Sequence, residues 1–350
     1  MRTEFPRNAD PQQGVVLVLV LVILAGLTLL LSEFTRLLLL DRTSSTAARA
    51  SLGAKPLLAS GERFAVSILQ RNAMAGDPDT PHEPWSRDYP ELVREISQGL
   101  DSAELEGEIV DENSLFPLNA LLARSAKDEP RADAYAGVFM RLTARLLLEH
   151  GLAENRPDAE EKARAFTSAV RRWGGSFGVQ ADMEEARWYL QGDPSYLPPG
   201  SPFLSADELL LIHWQTLSPE NARILLRGKG SLPGLLDLVS VWTDGPMNIN
   251  TLQPRLVAAL VEDADAGQEF AARILAFRGQ ENALLTKGWY QEEARQATRN
   301  TGIFPNRCVG VTSSVYSVLH TVRQGAAEAR SMGVCKVDAQ TVRWVVRVYW

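Results

Sequence analysis

The feature that most constrains this chain is a run of seventeen residues without a charge, residues 15–31. As a helix that rises ~1.5 Å per residue, this run approaches the ~30 Å thickness of the hydrocarbon core of a bilayer. Apolar character resumes at residues 37–40, beyond Glu33 and Arg36, and a polar segment, residues 1–14, precedes the run. The chain is therefore predicted to enter a membrane near its N-terminus.

Three interpretations of this N-terminus compete. A cleaved secretory signal normally has an apolar region of ~7–15 residues with a small-residue site close behind it, whereas the first such site here lies near residues 48–50. The second interpretation is an uncut membrane anchor. The third is a prepilin-type leader, a short polar segment that ends in glycine and is removed while the apolar helix is retained. Gly14 and Val15 form such a boundary.

Charge and cysteine content limit the possible functions. The chain has 36 basic and 43 acidic residues and a formal net charge of −7, which argues against nucleic-acid binding, since that depends on clustered Lys and Arg. Its two cysteines, Cys308 and Cys335, exclude a disulfide-dense scaffold and a Cys-rich metal site. In an oxidising compartment one disulfide would close a loop of about 27 residues and stabilise by roughly 3 kcal/mol. The alternative is two reduced, buried thiols.

Helical periodicity continues beyond the apolar run. Residues 41–70 are predicted to be mostly helical, with a kink or break at Gly53 and Pro56. The apolar stripe of this segment comprises Leu57, Leu58, Phe64, Ile68 and Leu69. A stripe on one side predicts a helix that packs against a folded domain.

Strand patterns bracket a long helical block. Residues 104–111 alternate, with Leu105 and Ile109 on the buried face, and are predicted to form a strand. Strand character returns at Cys308 and again in 336–350, whose end, 345–350, is predicted as the last strand. Between them, helices are predicted at 134–150, 158–173, 207–214, 219–226, 235–242, 253–262 and 269–278, with N-caps at Ser205, Ser218 and Thr251. The simplest account is one domain whose helical half is inserted between strands.

Three ordered groups of residues resemble a known family. The first is Ile109-Val110-Asp111-Glu112-Asn113 with Phe116 and Leu118-Asn119-Ala120-Leu121; the second is Trp188-Tyr189-Leu190 with Pro202, Phe203, Ser205 and Asp207-Glu208-Leu209; the third is Asn248-Ile249-Asn250-Thr251 with Val257 and Ala258. In this order, behind a prepilin-like leader, they resemble the minor pseudopilin K family of type II secretion.

The resemblance implies an α+β fold, in which a pilin-like N-terminal transmembrane helix packs on a small antiparallel sheet that carries a large all-helical insertion. It divides the chain into a prepilin leader (1–14), a transmembrane helix (15–40), the first part of the pseudopilin domain (41–116), an inserted helical domain with helix-hairpin-helix-like units (117–306) and C-terminal strands (307–350). The N-terminus would be cytoplasmic, the helix would cross the inner membrane once, and the globular part would be periplasmic.

The resemblance also implies a role and partners. The chain would be a non-catalytic subunit at the tip of the type II secretion pseudopilus, which supports export of folded proteins across the outer membrane. Its partners would be the minor pseudopilins I and J. Prepilin peptidase would cut between Gly14 and Val15, and the new N-terminus would be methylated.

Leu19 marks the tip position in this interpretation. In pilins and pseudopilins the fifth residue after the cleavage site is usually Glu, which is thought to pair with the N-terminal amine of a neighbouring subunit; here it is Leu19. A carboxylate in lipid is costly unless paired, and a subunit with nothing above it has no use for one. The alternative is that the missing Glu marks a chain that is no pilin.

A metal site is a further expectation from the resemblance. Some members of the family bind calcium through an acidic loop after a Trp in the insertion. Here Trp173 is followed by the glycine-rich residues 174–178, without a carboxylate before Asp182. Calcium takes ~6–8 oxygen ligands, often carboxylates. Glu185 matches one acidic position of the family and is the candidate ligand; no other cofactor is expected.

Two other motifs compete with this interpretation. Gly174-Gly175-Ser176-Phe177-Gly178 matches the G-x-S-x-G elbow of α/β hydrolases, and Ser176 as the nucleophile of a membrane-anchored periplasmic hydrolase is the alternative function. The elbow needs a strand before the serine, whereas a helical pattern precedes Ser176. Residues 207–226 and 248–260 resemble helix-hairpin-helix units, which in other proteins grip nucleic-acid backbones; with few basic residues near, they are interpreted as packing modules.

Overall fold

A computed structural model describes residues 11–76, 78–98, 103–179, 183–280, 283–299, 304–325, 327–338 and 341–350. The helices are α1 Pro11–Ala75, α2 Tyr89–Gln98, α3 Glu129–Glu149, α4 Arg156–Trp173, α5 Met183–Gln191, α6 Pro219–Arg227, α7 Pro254–Ala259, α8 Ala264–Arg278 and α9 Gln291–Ala297. The strands are β1 Glu104–Asp111, β2 Phe116–Pro117, β3 Val239–Ser240, β4 Met247–Asn248, β5 Val309–Gly310, β6 Val315–Gln324, β7 Ala327–Val337 and β8 Val342–Tyr349.

The first helix, α1, is 65 residues long and continues through Pro56. Of the kink or break predicted at Gly53 and Pro56, the break is therefore wrong. A proline inside a helix costs ~3 kcal/mol or more, but the turns that follow it pack on the sheet, and this packing holds the helix together across the missing hydrogen bond. The hydroxyl of Ser60 donates to the carbonyl of Pro56, at 2.8 Å, one turn later.

Strands β1, β6, β7 and β8 form an antiparallel sheet in the order β1–β6–β7–β8. The bounds of β1 are those predicted from its alternation. The single strand expected after Cys308 is in fact two, β5 and β6, and β7 has no counterpart among the predicted elements. The last predicted strand, 345–350, overlaps β8, which pairs with β7 through a bulge at Val334/Cys335.

A smaller apolar cluster lies between α1, α2 and this sheet. From α1 it takes Ala54, Leu58, Ala65, Ile68 and Leu69; from α2 and the strands it takes Tyr89, Val93, Leu105, Ile109, Tyr316, Val318, Val322 and Cys335, with Trp85 before α2. The spacing of the α1 residues is helical, so one face of α1 is buried on the sheet. This segment, residues 54–69, is called the packing half of α1 below.

A larger apolar cluster spans the helical block, from Phe116 to Val311, and α3 packs against α4 and α7 within it. Two short parallel bridges, β2–β3 and β4–β5, fasten its ends. The expected helices at 207–214 and 235–242 are short 3-10 turns instead, Ala206–Leu211 and Leu235–Leu238. The predicted α+β fold, with a long N-terminal helix, a small antiparallel sheet and many helices, is confirmed.

Helix caps follow local sequence where the side chain has no competing partner. Ser205 forms a capping box with Glu208, and Ser218 caps α6, as predicted. The predicted cap at Thr251 is wrong because α7 begins after Gln253. The hydroxyl of Thr251 donates instead to the carboxylate of Asp111, 140 residues earlier in the chain.

Candidate functional site

The first candidate site is the exposed part of α1. Residues Leu19–Arg36 are long and apolar enough to cross a membrane, and none of this segment is buried inside the structure. It is called the membrane half of α1. Leu19 lies in its first turn and is 59% exposed, and a Glu33–Arg36 ion pair of 2.9 Å closes its far end. Gly14 and Val15 lie within α1, and nothing in the structure tests cleavage between them.

The packing half of α1 approaches the sheet most closely at Gly61. A Cβ atom at Gly61 would lie 2.6 Å from Nε2 of His320 on β6. The hydroxyl of Tyr89 donates to the carbonyl of Gly61, at 3.1 Å, and lies 2.6 Å from Nε2 of His320. Burial lowers the pKa of His320 to about 4, so its neutral form is favoured. A missing side chain on the helix thus makes room for a ring on the sheet.

The second candidate site is a buried polar network, here called the junction, where the helical block meets the sheet. It is built on Asp79, Asp111, Asn113, Asn248 and Asn250, all of which are buried. Asp111 ends β1, Asn248 ends β4, and Asp79 lies in the segment after α1. Two of the motif groups that resemble the K family, at 109–113 and 248–251, therefore meet in space.

The carboxylate of Asp111 is the centre of the junction. It accepts hydrogen bonds from the hydroxyl of Ser313 (2.6 Å), the hydroxyl of Thr251 and the backbone amide of Asn113 (2.8 Å). Burial nevertheless raises the pKa of Asp111 to about 6. The pKa of Asp79 is also raised, again by burial. Hydroxyl and amide donors, rather than a cation, compensate these buried acids among the described residues.

The asparagines link the helical block to the sheet and to the segment after α1. Asn113 donates to the carbonyl of Pro246 (2.8 Å) and accepts from the amide of Ser314 (3.1 Å). Asn250 donates to the carbonyl of Asp79 (3.1 Å) and accepts from the indole of Trp289 (2.8 Å). Each asparagine uses both its donor and its acceptor, which fixes the position of the two segments relative to each other.

Glu185, the candidate calcium ligand, is engaged in an ion pair. Its Oε2 lies 2.5 Å from Nε of Arg172, and its Oε1 accepts from the hydroxyl of Tyr189 at 3.0 Å. Among the described residues, which do not include Asp182, no group of three His, Cys, Asp or Glu side chains could hold a metal ion. Glu185 as a metal ligand stays an untested prediction.

Ser176 does not lie in a nucleophile elbow. It follows α4, a helix, whereas the elbow needs a preceding strand, and it is buried. Its hydroxyl accepts from the amide of Ala123 at 3.0 Å. This bond fastens the glycine-rich loop to the segment before α3, so the hydrolase alternative loses its structural basis.

The two cysteines are free thiols, so the predicted disulfide is not formed. Cys308 is buried in the larger cluster, whereas Cys335 on β7 is buried in the smaller one. Burial raises the pKa of both thiols to about 12, which keeps them protonated. Only Cys335 lies in the β6–β7 hairpin, whereas Cys308 lies in a 3-10 turn before β5.

The second hairpin-like segment is an internal packing element. Its apolar residues Leu252, Leu256, Val257, Ala258, Ala259 and Leu260 are all buried in the larger cluster. The one basic residue of this segment, Arg255, pairs with Glu149 at 2.9 Å. These contacts agree with its interpretation as a packing module.

Of three comparisons with known proteins, two found a match. No protein-family model matches the chain. It is 26% identical, over 355 residues, to type II secretion system protein K of Klebsiella pneumoniae, and the match covers 97% of this chain and 98% of that protein.

The structure is similar to a chain in the crystal structure of the GspK–GspI–GspJ complex of the type 2 secretion system of enterotoxigenic Escherichia coli. The TM-score is 0.56 at 14% identity, and the match covers 87% of this chain and 99% of the other. This likeness is one of fold. Together with the sequence match, it confirms that the chain resembles the type II secretion system protein K family.

Proposed function

We propose that this chain is a non-catalytic minor pseudopilin at the tip of a type II secretion pseudopilus, where it supports export of folded proteins across the outer membrane. The observation that carries the proposal is α1. One half of it is apolar and unburied, and the other half is packed on an antiparallel sheet. A chain built in this way can stand in a membrane before assembly and keep its folded part outside.

The proposed processing follows from the same helix. Prepilin peptidase removes residues 1–14 by cutting between Gly14 and Val15, and the new N-terminus is methylated. The membrane half then holds the chain in the inner membrane in a single pass, with the N-terminus on the cytoplasmic side and the sheet and helical block in the periplasm. The apolar, charge-free segment between Leu19 and Glu33 supports the membrane location.

The proposed partners are the minor pseudopilins I and J. Support comes from the solved complex of GspK with GspI and GspJ, because one chain of that complex has a fold similar to that of this chain. The tip position is supported by Leu19, which provides no carboxylate for a subunit above. The large helical block, from Phe116 to Val311, is the part of the chain that would cap the assembly.

Copurification tests this proposal. The tagged full-length chain, coexpressed with the I and J pseudopilins of the same secretion system and extracted in detergent, should recover both partners. The same chain without the tag, coexpressed and extracted in the same way, measures the background recovery of both partners. Recovery of neither partner, with the chain present and folded, would contradict the proposal.

A further inference from the structure

A groove in the helical block has the chemistry of a binding site, and none of the contacts described above involves it. Its volume is about 410 Å³, within the range of ~300–1,000 Å³ that ligand pockets occupy. It is lined by Trp188, Leu210, Ile212, His213, Trp214, Leu217, Pro219, Ala222, Arg223, Leu226 and Arg227. Ile212, Trp214, Ala222 and Leu226 among these are buried, so they form an apolar floor.

The aromatic wall of the groove is held in place by a chain of contacts. The ring of Trp188 stacks on that of His213, with centroids 4.0 Å apart and planes 10° apart, although Trp188 is 44% exposed. The amide of His213 donates to the hydroxyl of Tyr189 (2.9 Å), which in turn donates to Glu185 (3.0 Å). An exposed aromatic ring that is fixed in advance loses little freedom on binding, which favours recognition.

The rim of the groove is positively charged. Arg223 and Arg227 lie one turn apart on α6, and both are exposed. In the described part of the chain neither has an ion-pair partner, in a protein whose net charge is −7. Two unpaired guanidinium groups above an apolar floor are complementary to carboxylates that flank an apolar group.

A buried polar group lies beneath the apolar floor. Trp214 is 7% exposed and stacks on Phe166, with ring centroids 3.5 Å apart. Its indole N–H has no hydrogen-bond partner among the described residues. An unsatisfied buried donor costs free energy, but this nitrogen is closed to solvent, so a ligand in the groove does not reach it.

From this juxtaposition we propose that the groove binds a peptide segment of another protein, in which a large apolar side chain lies next to carboxylates. The apolar side chain enters between Trp188 and the floor, and the carboxylates pair with Arg223 and Arg227. The proposal does not depend on the tip position or on the partners proposed above, because it concerns only the surface of the helical block.

Isothermal titration calorimetry on the full-length chain in a neutral detergent tests the proposal. The probe is the synthetic peptide Gly-Ser-Asp-Phe-Asp-Ser-Gly. Two matched peptides replace both Asp by Asn, or Phe by Ala. The first peptide should bind about tenfold more tightly than either control, and its binding should weaken at high salt, since charge-assisted pairs at an exposed rim are screened.

Variants locate the binding. Arg223→Gln/Arg227→Gln should weaken binding of the acidic peptide about tenfold, and Trp188→Ala should weaken it by a similar factor. The control Arg63→Gln/Arg307→Gln removes two exposed arginines elsewhere and should leave binding unchanged. Far-UV circular dichroism checks that all variants fold. Equal affinity for the three peptides, no binding, or unchanged binding in the groove variants would overturn the proposal.

An additional arm separates a peptide from a lipid surface. Detergent micelles that contain phosphatidylglycerol should not compete with the peptide for the groove. If they bind through Arg223 and Arg227 and displace the peptide, the surface is a lipid-binding site and the peptide proposal is wrong.

Discussion

The two halves of α1 are both rich in apolar residues, yet they have opposite surroundings. The membrane half, Leu19–Arg36, is unburied throughout, whereas the packing half, residues 54–69, has a stripe of side chains that are almost fully buried. In the membrane half apolar residues surround the helix; in the packing half they occupy one face. A helix that is apolar on all sides is stable where water is excluded on every side. A helix with an apolar stripe is stable when that one face packs against another surface.

The comparison shows where stability of the folded part resides. Removing an apolar group from the packing half creates a cavity, while the same change in the membrane half does not. The eight tryptophans of the chain all lie outside the membrane half, so their fluorescence reports unfolding of the sheet and the helical block.

Leu58→Ala should lower the free energy of unfolding by about 4 kcal/mol, because Leu58 is buried in the smaller cluster and its truncation leaves a cavity. Leu30→Ala, at a position that is 70% exposed in the membrane half, is the matched control and should have no effect. Urea unfolding in detergent, followed by tryptophan fluorescence, measures both. Equal effects of the two variants would contradict the division of α1.

Leu19→Glu should cost about 3 kcal/mol of membrane insertion, since an unpaired carboxylate would lie in hydrocarbon. The amount of chain recovered with the I and J pseudopilins from membranes should therefore fall. Leu19→Ala, which introduces no charge, should be recovered as the unchanged chain is. Improved recovery of Leu19→Glu would mean that another subunit lies above and pairs with the carboxylate, which contradicts a tip position.

Gly61→Ala should destabilise the folded part by about 2 kcal/mol, because the added Cβ would lie 2.6 Å from the ring of His320 and overpack the contact. Gly26→Ala is a close control on the same helix, since a Cβ there has no neighbour within 4 Å. The unfolding midpoint of the control should not fall. A similar loss in both variants would show that helix α1 responds to alanine itself and not to the contact.

The smallest net effect is a pH dependence, because two buried sites change stability with opposite sign. His320 has its pKa lowered to about 4 from the usual 6.5, so its contribution is complete above pH 6.5 and is lost as pH falls towards 4. Asp111 has its pKa raised to about 6 from 3.8, so stability is lost as pH rises from about 4 to 6. The raised pKa of Asp79 acts in the same direction as that of Asp111.

These slopes can be separated by substitution. Asp111→Asn should make the chain lose stability more steeply on acidification from pH 6.5 to 4, and His320→Gln should make it gain stability there. Either group can change the slope by at most about 1.4 kcal/mol per pH unit. Urea midpoints measured across this pH range provide the slopes, and two variants with the same slope would contradict the assignment.

The sequence correctly predicted elements whose pattern of apolar residues lies within the element itself. The alternation of residues 104–111 predicted β1 at its observed bounds, and the stripe at Leu58, Ile68 and Leu69 predicted the buried face of α1. The break at Pro56 was wrong because packing outweighed the local cost of proline. Strand β7 was missed because its sequence, which contains Arg330, Gly333 and Lys336, has little β propensity and depends on its place between β6 and β8.

The junction could not be predicted as a site. Asp111 and Thr251 are 140 residues apart in sequence, and Asp111 and Ser313 are 202 apart. Nothing in either segment alone indicates that the other supplies its hydrogen-bond partner. The sequence offered only the residue types as a signal. Short runs of Asp and Asn at strand ends indicate local turns. The residue types therefore identified the two motifs, but they did not predict that the motifs contact each other in the fold.

The proposed function requires that the membrane half of α1 is kept after removal of the leader and remains attached to the folded part. Intact-mass measurement of the chain, isolated from membranes of a host with its prepilin peptidase, tests this most directly. We predict a mature chain that begins at Val15, with one added methyl group, and that fails to be cut when Gly14 is replaced by a bulky residue. A mature chain that begins beyond residue 31 would contradict the account.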